Sequence, residues 1–209
     1  MAGLNLPMNR SAGRRMGSAA VSVPRLLMSW EDWLTFAFAL TAFLAVAVSI
    51  QRAGWVDNMP KVVPTVMAGL LVGLFAARLR FPQWLLHPVA LAIGAVVVVY
   101  AAQHYADGVT LADRLTDFRV RMHEWYLVVR AGDISNDNLP FVTLVHGICF
   151  VAAYMGAWSI FRWHNPWFAL VPIGFVLLAN VSFEKGHPTG TLVVFLFGGI
   201  LLILEGQQG

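Results

Sequence analysis

Long charge-free apolar runs alternate with short polar breaks along this chain, and one break is far longer than the others. The runs cover about 33–50, 62–77, 84–105, 141–160, 167–181 and 191–204. Crossing the hydrocarbon core of a bilayer takes roughly 20 apolar helical residues. The pattern therefore predicts an all-α, polytopic transmembrane helix bundle of about six spans. Trp30 and Trp33 open the first run, and Gln51 and Arg52 close it. The second stops at Arg78 and Arg80, and the third fades at Gln103, His104 and Tyr105. Trp55, Trp84, Tyr100 and Tyr105 fall where interfacial aromatic belts lie. Breaks between the last three runs are short, so those helices are expected to be antiparallel neighbours. The sixth run, 191–204, is short for a crossing.

The long break, Asp107 to Pro140, has a pattern of its own. Leu111, Leu115, Phe118, Met122, Trp125 and Val129 recur at alternating steps of 4 and 3, one stripe of an α-helix. Asp113, Arg114, Asp117, Arg119, Arg121 and Glu124 occupy the remaining surface. Thr110 and Asp113 have the spacing of an N-cap with an acidic first turn, and Gly132 is a C-terminal stop. Asp117 and Arg121 form a favourable i,i+4 pair. So charged a helix does not cross a bilayer. The expectation is an interfacial helix over about 111–130, in the headgroup layer or on top of the bundle. Asp133, Asn136 and Asp137 then cap and turn the chain into the fourth run. With Glu124, Asp133 and Asp137 are also the carboxylates available for acid–base chemistry.

Composition adds to this picture. Only 12% of the 209 residues are charged, about half the soluble norm. The net charge of +3 is spread over span ends and the central loop, with no basic stripe, so nucleic acid is not an expected partner. Residues 1–29, with Arg10, Arg14, Arg15 and Arg25, read as a flexible basic tail ahead of one membrane domain, 30–209. Ala45-Val46-Ala47 resembles a signal cleavage site, but the apolar length around it favours a retained span. With the N-terminus inside, the inner side carries seven basic residues: Arg10, Arg14, Arg15, Arg25, Arg78, Arg80 and Arg162. The outer side also carries seven: Arg52, Lys61, Arg114, Arg119, Arg121, Arg130 and Lys185. Four of these lie on the acid-laced amphipathic helix. Without them the count is seven against three, which places the N-terminus in the cytoplasm and the loop 106–140 outside.

Candidate chemistry is sparse. His146 is the one ionisable residue well inside a span, which makes it a candidate ligand for a metal or a chlorin magnesium; the cofactor itself is unknown. The alternative is a neutral histidine bonded to a neighbouring helix. Gly147 beside it would permit close approach. His87, before Pro88, reads as water-facing or carbonyl-bonded. The six histidines lack HxxxH or HxH spacing, a weak metal pattern. Gly69, Gly73 and Ala77 place small residues on one helix face, and Ala152 and Gly156 repeat this more weakly; both suit close helix packing. Pro64, Pro88 and Pro172 lie in or near spans as candidate kinks. Three runs on each side of the loop suggest a transporter-like inverted repeat, but the halves share no sequence echo.

The tract from Arg130 to Phe141, the Trp125 helix before it and the Trp158-x-x-Phe161-Arg162-x-x-x-Pro166-Trp167 pattern after it resemble the N-terminal membrane region of bacterial transglutaminase-like membrane proteins. Val63-Pro64-x-x-x-Ala68-Gly69 and Trp84-Leu85-x-His87-Pro88 are similar to that region too, so the likeness covers roughly residues 50–183. It implies a membrane anchor in a bacterial cytoplasmic membrane. It also implies an extracytoplasmic domain with a Cys-His-Asp triad. Here the sequence ends at Gly209, and its one cysteine, Cys149, lies in a predicted span, where a thiol is screened from water. The expectation is a non-catalytic module in the lipid bilayer, acting through helix–helix association with other membrane subunits or as the anchor of a transglutaminase-like protein. The alternatives are the membrane half of a split transglutaminase-like or peptidase-like enzyme, and a cofactor- or lipid-binding subunit that uses His146.

Overall fold

The computed structural model describes residues 29–182 and 189–206. The basic tail over 1–28, Lys185 and His187 lie outside the described residues. Among the described residues, seven α-helices follow one another: α1 Trp30–Ala53, α2 Val63–Arg78, α3 Gln83–Ala102, α4 Leu111–Arg130, α5 Leu139–Trp163, α6 Pro166–Val181 and α7 Thr189–Gly206. A 3₁₀ turn, Gln103–Tyr105, extends α3. There is no strand among the described residues.

Three helices are long and apolar enough to cross a membrane: α1, α3 with its 3₁₀ extension, and α5. That is fewer than the six expected. The apolar stretches of α2, α6 and α7 have 10–17 residues. At 1.5 Å per residue such helices reach about 25 Å at most, against a hydrocarbon core of roughly 30 Å. Capping explains where the long helices exceed the apolar runs. Ser29 caps α1 by accepting from the Asp32 amide, while the Asp32 carboxylate accepts from Ser29, so the helix starts before its apolar run. Gly54, at φ 62°, ends it in the left-handed conformation that glycine adopts without strain. Pro64 and Pro140 sit in first turns, where no amide partner is lost, so Pro64 is not a kink. Pro88 and Pro172 do lie inside helices. The last helix has 18 residues rather than the 14 of its apolar run.

The bundle is built around a seam between α2 and α5. Thr65 meets His146 at one end, Gly69 and Gly73 face Ala153 and Ala157 in the middle, and Ala77 meets Arg162 at the other. Sequence position rises on both helices together, so they run parallel. A Cβ on Gly69 would stand 2.6 Å from the Phe150 carbonyl oxygen and 2.9 Å from the Ala153 Cβ. One on Gly73 would collide with the Tyr154 carbonyl oxygen and lie 2.7 Å from the Ala157 Cβ. Only glycine lets the two backbones come this close. Where lipid is the solvent, such contact area, rather than expulsion from water, is what holds helices together.

Other elements assemble on α5. Gly94 of α3 receives the Phe150 ring, and Gly156 of α5 receives the Phe43 ring of α1. On the far side, Gly198 brings α7 against the α1 backbone near Phe38 and Ala42. A large core joins Phe43, Val46, Leu70, Leu74, Ala153, Leu170 and Leu177. A smaller one joins Leu86, Ala90, Phe150, Tyr154 and Trp158.

Two of the expected packing positions are corrected. Gly147 packs against nothing, since a Cβ there would meet no atom within 4 Å. Ala152 is only half-buried, and its neighbour Ala153 occupies the seam instead. A helix turns by about 100° per residue, so the buried face is Ala153 with Ala157 rather than Ala152.

Gly73→Ala is expected to destabilise the bundle by about 1–3 kcal/mol, because neither the Tyr154 carbonyl nor the Ala157 Cβ can swing away. Gly147→Ala is expected to be neutral or to stabilise by up to about 1 kcal/mol, since it only restricts the unfolded helix. Unfolding in mixed detergent micelles measures both, and equal losses at the two sites would contradict the seam.

Candidate functional site

Among the described residues, four groups of polar side chains are each made by residues distant in sequence. The first surrounds His146, fully buried on α5. The hydroxyl of Thr65, in the first turns of α2, lies 2.8 Å from Nδ1. The Pro60 backbone carbonyl also engages the ring. If Thr65 donates to Nδ1, the ring proton sits on Nε2, which makes no hydrogen bond of ordinary geometry. The arrangement matches the inter-helix histidine of the sequence reading. A ligand at Nε2 would need the residues that bury the ring to part locally.

The second place is the opposite end of the α2–α5 seam. His87 of α3 bonds through Nδ1 to the Tyr154 hydroxyl at 2.6 Å and lies against Trp158, with ring centroids 4.7 Å apart. This replaces the expected water or carbonyl partner. Arg162 donates to the Ala77 carbonyl at 3.3 Å and lies over the Trp158 ring. No sequence pattern pairs His87 with Tyr154, 67 residues later.

The third is a cleft of about 760 Å³ at the same end, where α1, α2, α5, α6 and α7 meet. Glu31, Asp32, Arg78, His164 and Glu205 supply its polar lining, against Ile160, Phe161 and Leu202. Asp32 is committed to Arg78 by a salt bridge, and Arg78 also lies over the Phe161 ring. The acidic residues at the ends of α1 and α7 are the sequence signal for this cleft, and reading each helix separately does not bring them together.

The fourth ties α4 to the bundle. Thr110 and Asp113 form the expected capping box. Arg121 makes a forked bond to Asp137, with Nε to Oδ2 at 2.9 Å and Nη2 to Oδ1. It also reaches Asp117 at 3.5 Å and lies over the Tyr105 ring. Asp117 accepts from the Asp107 amide, and Asp137 from the Leu139 amide at the start of α5. One guanidinium thus joins the exit of α3, the middle of α4 and the entry of α5. The forked bond to Arg121 and the Leu139 amide hold the Asp137 carboxyl below the usual aspartate range despite its partial burial. Asp137 raises the Arg121 pKa in turn.

None of the residues of α4 is buried. Of its predicted stripe, Phe118, Met122 and Trp125 are half-buried, while Leu111, Leu115 and Val129 are exposed. The Asp133 carboxylate accepts from the neighbouring Ile134 amide, while that of Asp137 is taken up by Arg121 and the Leu139 amide. Among the described residues, no three His, Cys, Asp or Glu side chains are grouped to hold a metal ion. Cys149 is buried as a free thiol.

In comparison with known proteins, no family model, curated protein or solved structure matches this chain.

The Asp137 carboxylate has a lowered pKa in the folded state, so its contribution is fully present above the ordinary value of 3.8 and is lost as pH falls through the lowered one. Acidification through that window, or Asp137→Asn at neutral pH, is expected to lower amide protection factors, each taken against the intrinsic rate at that pH, across 111–130 while α2 and α5 stay protected. Unchanged α4 protection in both cases would show that the Arg121 bonds do not hold the helix.

Proposed function

We propose that this chain is a non-catalytic integral membrane module of six spans that works through helix–helix association. It serves as an accessory subunit of a larger membrane complex or as the anchor of a transglutaminase-like protein. The observation that carries the proposal is where the polar side chains are spent. Thr65 with His146, His87 with Tyr154, Asp32 with Arg78, and Arg162 with the Ala77 carbonyl all bond one helix to another. An enzyme built in a bundle instead points such groups at one open site.

Two open surfaces of the bundle are apolar and available to a partner. The spanning window of α3 is 28% buried, against 50% for α1 and α5, so α3 is the most open of the long helices. Its outward face presents Val89, Ile93, Val96 and Tyr100. A groove of about 460 Å³ between α6 and α7, lined by Trp167, Val171, Phe175, Phe195 and Ile200, is almost wholly apolar. Short α2, α6 and α7 fit the same reading. Helices below bilayer length are accommodated by thinning the bilayer, by snorkelling of flanking residues, or by association.

The anchor form of the proposal draws on the tract from Arg130 to Phe141. Its Asp137 ties α4 to the start of α5. Orientation follows the basic residues, with Trp30 on the cytoplasmic side and α4 outside. The buried Nε2 of His146, which makes no hydrogen bond of ordinary geometry, is the specific observation behind a second reading, a cofactor-binding subunit.

Release from native membranes in mild detergent is expected to yield a particle with fixed additional subunits. A particle of this chain alone, at every detergent tried, would contradict the proposal. His146→Ala is expected to leave the absorption spectrum and metal content of that particle unchanged, and loss of a chromophore or metal would establish the second reading. A reporter fused at Asp133 is expected to be extracytoplasmic; a cytoplasmic result would invert the topology.

A further inference from the structure

On α4, the face that touches the bundle and the apolar stripe are not the same face. The half-buried residues are Arg114, Asp117, Phe118, Arg121, Met122, Trp125 and Val128. At about 100° per residue, their centre lies roughly 60° around the helix from the centre of the apolar stripe. The Arg121 bonds to Asp137 and Asp117 set this rotation, because they place the polar flank of the stripe, rather than its middle, against the bundle. The opposite flank, Leu111, Leu115, Tyr126 and Val129, is left exposed. Arg119 and Arg130 follow next around the helix and are exposed as well. Beyond them come Thr116, Asp113 and Glu124, with Val120 and Leu127 standing singly among polar neighbours.

We infer that this free flank of α4 seats in the headgroup layer of an anionic phospholipid bilayer, with Leu111, Leu115, Tyr126 and Val129 below the surface and Arg119 and Arg130 on lipid phosphates. The inference rests on the membrane reading above. The level of the helix supports it. Asp107, just past the end of the α3 extension, and Asp137, just before α5, are its two attachment points, so α4 lies at the height where two spanning helices leave the membrane. The order of groups supports it too. An apolar flank, then two arginines, then acidic and hydroxyl side chains is the sequence of environments from acyl boundary to phosphate to water. Long arginine side chains reach phosphate while their stems stay on the apolar side. The arrangement makes α4 a strut. The guanidinium of Arg121 fixes one side to the spans, and lipid holds the other.

The test adds single cysteines at Leu115, Val129, Thr116 and Glu124 to the native chain. Cys149 is buried, and the unsubstituted chain serves as the labelling blank. Spin labels are read in vesicles of phosphatidylcholine with phosphatidylglycerol. Labels at 115 and 129 are expected to be several-fold more accessible to oxygen than to a water-soluble nickel complex, with the order reversed at 116 and 124. In Arg119→Gln with Arg130→Gln, the label at 115 is expected to move toward water in these vesicles but not in phosphatidylcholine alone. Water-like accessibility at all four positions overturns the inference. Protection of 115 and 129 from both reagents also overturns it, in favour of a protein surface or a second copy. An insensitive label at 115 in the double variant overturns the phosphate contact. A label at Val96, exposed in the middle of α3, reports separately on the membrane reading, which fails if that position is also water-like.

Discussion

Two glycines decide how this chain folds. Gly69 and Gly73 let α2 lie along α5 with backbone against backbone, and no larger residue fits between the Tyr154 carbonyl and the α2 axis. The rest of the bundle follows from that contact. Its depth brings Thr65 within reach of His146 at one end and Ala77 within reach of Arg162 at the other. It also puts Phe150 and Tyr154 on the side of α5 where α3 packs, which explains why Gly94 is needed there and why His87 has a hydroxyl to bond. In the bilayer setting proposed above there is no hydrophobic drive for helices to pair, and fit of this kind would supply the specificity.

The second organising group is the Arg121 guanidinium. A 20-residue helix carrying seven charged side chains and no buried residue has little reason to stay folded alone. Its capping box starts it, and the bonds from Arg121 to Asp137 and Asp117, with the Tyr105 ring beneath, keep it against the span ends. The lipid seating inferred for the other flank would complete its surroundings. Both ends of the bundle are thus closed by charge pairs, Asp32 with Arg78 at one and Asp137 with Arg121 at the other.

Much of this was legible from residue order. Runs without charge announce apolar helices, and the spacing from Leu111 to Val129 announces α4, because both are local properties of the chain. The Gly69 and Gly73 face was legible for the same reason. What residue order could not carry is which of several small residues meets a partner. Gly147 is as small as Gly73, yet it faces open space, because the crossing point of α2 and α5 and not the size of the residue decides. The bonds of His87 and of Arg162 join positions 67 and 85 apart, and no local period encodes them. Which flank of α4 meets the bundle was not legible either, since the bond from Arg121 to Asp137 joins positions 16 apart.

The parallel pairing of α2 and α5 is the claim on which everything else rests, and oxidative cross-linking tests it most directly. A chain with Thr65→Cys and His146→Cys is expected to close an intramolecular disulfide under mild oxidation, seen as a reducible shift in gel mobility, because those side chains touch. Thr65→Cys with Arg162→Cys is expected to stay open. Cross-linking of the second pair and not the first would mean that the two helices run in opposite directions, and the seam described here would be wrong.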